Sequence, residues 1–344
     1  MKINKWMALI PMMLCLCVLA MPLLSCSKSD KTVIQMAGAD SFNTWLATYA
    51  IREGIITSPD VDLRITLADT RTYETALMNG HYNMGTLSNA RLATVPDNNI
   101  PLVAISTFVV HSGALERNGV NFVLTKAGST INTPADLKGK RVAVGNISSS
   151  STSSLIALLK MNFDLDAKEQ EKITNAANQV TLIQAQGDLA ELVQLGTYDA
   201  ALIGQNDGPK ASKNPNLKVV MSIDQLFFEK YGVPYITSTL VVDKNFQNDN
   251  PHAVVAAYEL LIESHAYGEE HINELAALYA NEYAKGTDAD FYKMIYNEHS
   301  GVHIAAIDGK AKEVIMAGFE FAVIAGESSA MPDPEVIFGS PYLN

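Results

Sequence analysis

Cysteine is scarce in this chain of 344 residues, and the three that occur, Cys15, Cys17 and Cys26, all lie near the amino terminus. The chain beyond Cys26 can therefore form no disulfide, offer no thiol nucleophile and build no cysteine-based metal site. A domain without these devices must be held together by its hydrophobic cores. The length is sufficient for two lobes with separate cores.

Basic residues are in the minority. The sequence has 25 Lys and Arg against 37 Asp and Glu, which gives a formal net charge of -12. Nucleic-acid binding needs a basic surface, so this balance argues against a nucleic-acid partner. It does not exclude a small anionic ligand, because such a ligand responds to local hydrogen-bond donors rather than to net charge.

Motifs of common enzymes are missing as well. The hydroxyl-rich run at residues 148–154 contains no Gly-x-Ser-x-Gly elbow, and Gly139-Lys140 lacks the upstream glycine spacing of a phosphate-binding loop. His299 and His303 have the spacing of a helical metal-binding pair, but Gly301 between them disfavours a helix. We therefore expect no catalytic residue, no metal and no cofactor.

A long apolar run lies at the amino terminus. Lys2 and Lys5 form a basic start, and residues 6–24 are almost wholly apolar, interrupted by two prolines. This pattern is typical of a secretory signal, so we predict a signal peptide at residues 1–25. A permanent transmembrane helix is the alternative, which the prolines and the polar residues 27–31 disfavour.

The end of this segment, Leu23-Leu24-Ser25-Cys26, resembles a bacterial lipobox. The resemblance implies cleavage before Cys26 and lipidation of its thiol, for example by palmitate, with residues 26–31 as the lipidated tether. We expect a protein anchored by lipid to the cell membrane on its extracytoplasmic side, either in the periplasm or at the cell surface.

Hydroxyl groups separate a predicted strand from a predicted helix in the middle of the chain. Pro134 and Gly139 mark two turns before the apolar strand at residues 141–144. The run at residues 148–154 follows, and residues 155–161 have the apolar content of a helix. The free N–H groups of a helix start suit an anion or a polar ligand head. A flexible linker or a simple helix cap is the alternative.

The segment after the tether alternates strands with helices, which predicts a parallel sheet. Ligands of open parallel sheets bind at the carboxyl ends of the strands. The predicted strands are residues 32–37, 61–67 and 82–85, and the predicted helices are residues 42–54 and 73–79.

Polar side chains follow all three of these strands. Because the carboxyl ends of parallel strands meet at one edge of a sheet, we expect these side chains to lie close together. They are Asp40 and Ser41 after the first strand, Asp69, Thr70 and Arg71 after the second, and Thr86, Ser88 and Asn89 after the third.

The rest of the chain continues the mixture of strands and helices. Further strands are predicted at residues 101–110, 121–125, 179–183, 198–203, 217–221 and 231–242, and further helices at residues 188–195, 251–264, 272–282, 291–297 and 310–324.

Several short motifs carry a family resemblance. Residues 136–144 read Asp-Leu-Lys-Gly-Lys-Arg-Val-Ala-Val, a Gly-x-x-Asp phrase occurs at residues 196–199, and residues 340–343 read Ser-Pro-Tyr-Leu. A second copy of the Gly-x-x-Asp phrase has Asn83 in place of the aspartate. These motifs resemble those of ABC-transporter solute-binding proteins in the nitrate/sulfonate/taurine and thiamine-precursor group.

The resemblance implies a two-lobed α/β fold, that of type 2 periplasmic binding proteins. Each lobe would be a mixed, mostly parallel sheet flanked by helices, with two hinge crossovers between the lobes. The expected division is residues 32–125 plus 237–344 for lobe 1 and residues 126–236 for lobe 2. The resemblance also implies a monomer that closes about a small ligand and passes it to an ABC permease and its ATPase subunits.

The candidate ligand contacts come from the predicted strand ends of both lobes and from the return strand. They are Ser41, Thr70, Arg71, Thr86, Ser88, Asn89, Ser148, Ser149, Ser150, Thr152, Asn206 and Tyr235.

Two ligand classes fit these residues. Hydroxyl groups and a helix start suit an oxyanion such as a sulfonate, nitrate or taurine. Carboxylates at predicted ligand-side loops would instead favour a thiamine-precursor-like aminopyrimidine, on which aromatic rings could stack. The carboxylates are Asp40, Asp69 and Asp207, and the rings are Phe42, Trp45, Phe108 and Tyr235.

Two rival functions remain on the same fold. An exported enzyme would need a titratable pair in the cleft, for which His111 is the best candidate. A sensory binding module would present its ligand to a membrane receptor instead of a permease.

Overall fold

The structure is a computed structural model that describes residues 31–111, 120–204, 207–283 and 287–342. The predicted signal peptide and Cys26 lie outside these ranges. Thr32–Asn344 form one compact unit. Within the described ranges, no helix combines the length and the apolar character needed to cross a membrane.

Strands in the described ranges form two sheets of six strands each. In chain order they are β1 (Thr32–Ala39), β2 (Val61–Ala68), β3 (Met84–Ser88), β4 (Leu102–His111), β5 (Phe122–Lys126), β6 (Arg141–Val144), β7 (Ala167–Glu169), β8 (Val180–Gln184), β9 (Ala200–Ile203), β10 (Leu217–Ser222), β11 (Tyr235–Asp243) and β12 (Ser300–Val302).

The first sheet has the strand order β12-β4-β11-β3-β1-β2 and the second has the order β10-β5-β9-β6-β8-β7. In the first sheet, β1 pairs in parallel with β2 and β3, whereas β11 runs antiparallel between β3 and β4. In the second, β6 pairs in parallel with β8 and β9, and β5 runs antiparallel between β9 and β10. Each sheet is therefore mixed, as the family resemblance implied.

Helices flank both sheets, and each sheet with its helices is called a lobe below. The helices are Phe42–Arg52, Thr70–Met78, Asn89–Ala93, Ser150–Phe163, Leu189–Gln194, Gly208–Ser212, Ile223–Tyr231, Lys244–Asp249, Pro251–Glu270, Ile272–Glu282, Ala289–Met294, Gly309–Ile324 and Pro334–Ile337. Short 3-10 segments occur at Pro134–Leu137 and Gln170–Lys172, and a π-helical turn occurs at Ile295–His299.

The strand predicted at residues 121–125 forms, as β5, but it belongs to the second sheet. Leu124 pairs with Ala201 of β9 and with Val219 of β10. The chain therefore leaves the first sheet between His111 and Phe122, and the expected boundary at residue 125 was wrong. An apolar strand of five residues fits a central position in either sheet, so its hydrophobic pattern could not specify its partners.

Two helices begin earlier than the sequence pattern indicated. Asp69 caps the helix Thr70–Met78, its Oδ1 accepting a hydrogen bond from the Thr72 N–H at 3.1 Å. Ser149 caps the helix Ser150–Phe163 in the same way, at 3.2 Å from the Thr152 N–H. Most of the hydroxyl run is therefore helical rather than a loop.

An aromatic cluster fills the core of the first lobe beside helix Phe42–Arg52. The Phe42 ring lies 5.2 Å from Tyr279 and the Trp45 ring 4.8 Å from Tyr49, measured between ring centroids. Phe108 is fully buried in the same core. Phe42, Trp45 and Phe108 thus stabilise the lobe and are not available to stack on a ligand in a cleft.

Candidate functional site

A cavity of about 210 Å³ lies between the two lobes. It opens at the carboxyl ends of β1 and β3 and at the amino end of helix Ser150–Phe163. We call it the interlobe cavity, and its lining residues are Ala39, Ser41, Thr44, Thr70, Tyr73, Glu74, Thr86, Ser88, Val109, His111, Asn121, Ser149, Ser150, Ser151, Gly204, Thr237 and Ser238.

The first lobe contributes hydroxyl groups at helix starts. Ser41 precedes helix Phe42–Arg52, and its Oγ accepts a hydrogen bond from the Thr44 N–H at 3.5 Å. Thr70 is the first residue of the next helix. The two helices follow the neighbouring parallel strands β1 and β2, so both helix starts face the same edge of the sheet.

The second lobe contributes the start of helix Ser150–Phe163. The first N–H groups of a helix have no partner within the helix, and the helix dipole adds partial positive charge there. Ser150 also reaches the first lobe, because its Oγ accepts a hydrogen bond from the Ala90 N–H at 3.2 Å. The helix start is thus held against the opposite wall of the interlobe cavity.

A buried polar network lies where the chain passes between the lobes. Asp224 Oδ2 accepts hydrogen bonds from the N–H groups of Val120 at 2.8 Å and Asn121 at 3.0 Å. Asp224 Oδ1 lies 3.1 Å from Asn121 Nδ2 and 3.2 Å from His111 Nδ1. Burial alone would raise the pKa of Asp224, but the imidazole and the N–H donors outweigh it and lower that pKa below its usual value.

His111 therefore has a structural partner. Its Nδ1 faces Asp224, and its Nε2 lies 3.4 Å from the Thr237 hydroxyl oxygen. The side chain borders the interlobe cavity while it links the first sheet to the second lobe.

Glu74 also lines the interlobe cavity and is only 1% exposed. Its Oε1 accepts a hydrogen bond from the Ser88 N–H at 2.8 Å, and its Oε2 lies 3.9 Å from Arg91 Nε. Burial raises the pKa of Glu74 to about 7, although Ser88 and the Arg91 guanidinium oppose the rise.

Among the described residues that line the interlobe cavity, none is a lysine or an arginine. Arg71 lies outside it, and its Nη2 donates a hydrogen bond to Gln184 Oε1 of the second lobe at 2.9 Å. Glu74, His111 and Tyr73 are the described ionisable residues that line the cavity.

Six predicted contact residues line the interlobe cavity: Ser41, Thr70, Thr86, Ser88, Ser149 and Ser150. Thr86 does so from within β3 rather than from the loop after it. The Ser88 Oγ is buried beside the Glu74 carboxyl group, and Ser88 borders the interlobe cavity.

Five other predicted contact residues lie in the described ranges but do not line this cavity. Asn89 is buried and its amide donates to the Ile236 carbonyl, and the Tyr235 hydroxyl lies 2.9 Å from Ser154 Oγ. The Thr152 hydroxyl donates to the Asn146 carbonyl at 2.7 Å. Ser148 and Arg71 lie outside the lining, and Asn206 is outside the described residues.

A second cavity of about 310 Å³ adjoins the interlobe cavity and shares Ser149, Ser151 and Gly204 with it. Thr152, Asp188 and Asp207 line this second cavity. Burial and the nearby Asp188 raise the pKa of Asp207. In the described part of the chain, no group of three or more His, Cys, Asp or Glu side chains could hold a metal ion.

The sequence reasoning missed several lining residues. Tyr73 and Glu74 lie one turn into a helix whose start was placed too late, and Asn121 directly precedes β5, the strand assigned to the wrong lobe. Thr237 and Ser238 lie on β11, beside β3. The polar Thr-Ser-Thr at residues 237–239, within an otherwise apolar strand, was the available signal.

Comparison with known proteins gives a family match and a fold match. The family described as NMT1/THI5 like matches residues 47–275, more than half of the chain. No curated protein matches the sequence.

Three solved structures illustrate the fold match. The periplasmic aliphatic sulphonate binding protein SsuA from Escherichia coli has a TM-score of 0.65 at 14% identity, covering 91% of this chain and 94% of its own. An ABC transporter protein from Parabacteroides distasonis has a TM-score of 0.60 at 12% identity, covering 90% of this chain and 99% of its own.

The third structure is a Candida albicans gene product described as having the generic periplasmic binding protein fold. Its TM-score is 0.63 at 13% identity, with 88% of this chain and 92% of its own covered. These likenesses confirm the periplasmic binding protein fold that the sequence motifs implied.

Proposed function

The chain belongs to the NMT1/THI5-like family, and from this membership we propose that it is the extracytoplasmic solute-binding component of an ABC importer, not an enzyme. It captures a small polar solute between its lobes and delivers it to the permease and ATPase subunits. The observation that carries the proposal is the interlobe cavity, to which both lobes contribute hydroxyl groups and helix starts. The likeness to a sulphonate-binding protein and to an ABC transporter protein supports it.

A small oxyanion of the sulfonate, nitrate or taurine type is the first candidate ligand. The start of helix Ser150–Phe163 offers unpaired N–H groups, and neutral donors of this kind bind anions without a cationic side chain. Ser88, which borders the interlobe cavity beside Glu74, adds a further polar contact.

A thiamine-precursor-like aminopyrimidine is the second candidate. It is favoured by two residues that line the interlobe cavity, the Tyr73 ring and the Glu74 carboxyl group. An ionised carboxylate would accept hydrogen bonds from an amino group and repel an oxyanion.

Hinge closure is the proposed mechanism of capture. The chain passes between the lobes before β5 and again before β11, and His111, Asn121 and Thr237, which flank these passages, line the interlobe cavity. Contacts such as the one between Arg71 and Gln184 would hold the lobes together around the ligand.

We also propose that the mature protein is a lipid-anchored monomer, attached through Cys26. The support is the Leu-Leu-Ser-Cys motif at residues 23–26. A Cys26→Ser variant should lose incorporation of labelled palmitate and its association with membranes. Retention of both would refute the anchor and leave the ligand proposal untouched.

The test of the ligand proposal is a thermal-shift screen followed by calorimetry. Taurine, ethanesulfonate and nitrate form one ligand set, and aminopyrimidines form the other. A ligand at 100 times its dissociation constant adds about 2.7 kcal/mol of stability, which gives a visible shift.

Alanine variants then locate the binding site. Ser149→Ala and Ser88→Ala should each weaken binding about fivefold or more, because each removes a hydrogen bond worth ~1 kcal/mol. Thr57→Ala, at an exposed position outside the cavity, is the matched control. Unchanged affinity in both serine variants would show that the ligand binds elsewhere.

A further inference from the structure

Two buried carboxyl groups differ in their surroundings: Glu74 lines the interlobe cavity, and Asp224 lies behind His111 and Asn121, which line it. Asp224 and Glu74 are each 1% exposed. Asp224 is met by three N–H donors and the His111 imidazole. Among the described residues, Glu74 has donors from Ser88 only, its hydroxyl and its N–H, and the nearest cation is 3.9 Å from its Oε2, beyond hydrogen-bond distance.

A buried carboxylate is stable only when donors replace the water it has lost. Asp224 meets this condition and its pKa is lowered, whereas Glu74 does not and its pKa is raised to about 7. Two carboxyl groups near one site whose environments push their pKa values apart have different roles. Asp224 is the ionised structural group, and Glu74 is the group whose charge changes near neutral pH.

Few ionisable groups of the described residues face Glu74. Arg91 approaches from helix Asn89–Ala93, and its charge also acts on Glu327. Tyr73 is the neighbour on the same helix, and burial and Glu74 raise its pKa. His111 lines the interlobe cavity from β4 and is engaged with Asp224.

We propose that Glu74 acts in the interlobe cavity as a neutral carboxylic acid that donates a hydrogen bond to an oxygen of the bound oxyanion. This inference rests on the oxyanion form of the proposed function. Oε1 accepts the Ser88 N–H, and we assign the proton to Oε2. Ionised Glu74 would instead place a negative charge beside the ligand. The protonation of Glu74 thereby determines which ligand charge the cavity accepts.

This role of Glu74 makes ligand binding depend on pH. Above pH 7, the free protein holds Glu74 largely ionised, so binding of an oxyanion is accompanied by uptake of one proton from solvent onto Oε2. No covalent bond to the ligand is formed. Affinity for the oxyanion should fall up to tenfold for each pH unit above about 7.

The experiment is titration calorimetry of the protein with ethanesulfonate and nitrate from pH 7 to 9. Neither probe titrates in this range, and Tris and triethanolamine serve as buffers because they carry no sulfonate group. The wild-type protein should take up protons on binding and lose affinity as pH rises. Glu74→Gln, a neutral variant with an N–H donor, should bind the anion without that proton uptake. Its fall in affinity between pH 7 and pH 9 should be at least tenfold smaller than that of the wild type. Glu53→Gln, at an exposed position outside the cavity, should behave as wild type.

Each remaining outcome is decisive. Binding of either anion with no proton uptake in the wild type, or with the same uptake in Glu74→Gln, overturns the inference and leaves the proposed function intact. Binding of an aminopyrimidine that strengthens with pH and is lost in Glu74→Gln overturns it too, since Glu74 then acts as an ionised acceptor. Binding of no oxyanion refutes that part of the proposed function, and the inference falls with it.

Discussion

The raised pKa of Glu74 makes a prediction about folding that needs no ligand. Burial raises this pKa from 4.5 to about 7, so the folded chain binds a proton over a range in which the unfolded chain has lost it. The stabilisation is fully present below pH 4.5 and is lost as pH rises through 7. A difference of about 2.5 pKa units corresponds to about 3 kcal/mol, at ~1.36 kcal/mol per unit.

The assay is urea unfolding of the wild-type protein and of Glu74→Gln at intervals from pH 4 to 8. The glutamine variant lacks this titration while every other group is retained. The stability of wild type minus that of the variant should therefore fall by about 3 kcal/mol across the range. Glu53→Gln should follow the wild-type profile throughout. Parallel profiles for wild type and Glu74→Gln, within about 0.5 kcal/mol, would refute the reasoning.

Two further perturbations test the packing and the polar network. Asp224→Ala leaves the Val120 and Asn121 N–H groups buried without an acceptor. The variant should lose about 3–5 kcal/mol of unfolding free energy, measured by urea unfolding. A loss below about 1 kcal/mol would show that water replaces the carboxylate. Gly268→Ala would place a Cβ 2.6 Å from the Leu46 carbonyl oxygen and should lower the free energy of unfolding by about 1–3 kcal/mol. Gly309→Ala, whose Cβ would meet no neighbour within 4 Å, is the control and should leave it unchanged. Equal unfolding midpoints for the two variants would contradict this.

The sequence located the residues that follow the ends of the first two strands. Ser41 and Thr70 lie where expected, because consecutive parallel strands must place their carboxyl ends at one edge of a sheet. Local pattern also located most strands and helices. These features depend on residues that are near one another in the chain.

The remaining errors have a common physical cause, which is pairing across long sequence separations. His111 and Asp224 are 113 residues apart, and nothing local to either of them indicates the other. Tyr235 was predicted at the ligand because it follows a hinge, but its ring stacks on Phe227 at 4.3 Å in the core. The role of Glu74 depends on which donors surround it after folding, which no local pattern encodes.

The Asp224 network has a mechanical consequence. His111 ends the last first-lobe strand before one crossing, Asn121 follows that crossing, and Asp224 precedes the other crossing. The hydrogen bonds of Asp224 therefore tie the flanks of the two crossings to each other. Crossings that are tied together in this way should favour bending of the lobes about a shared axis over independent twisting of each link.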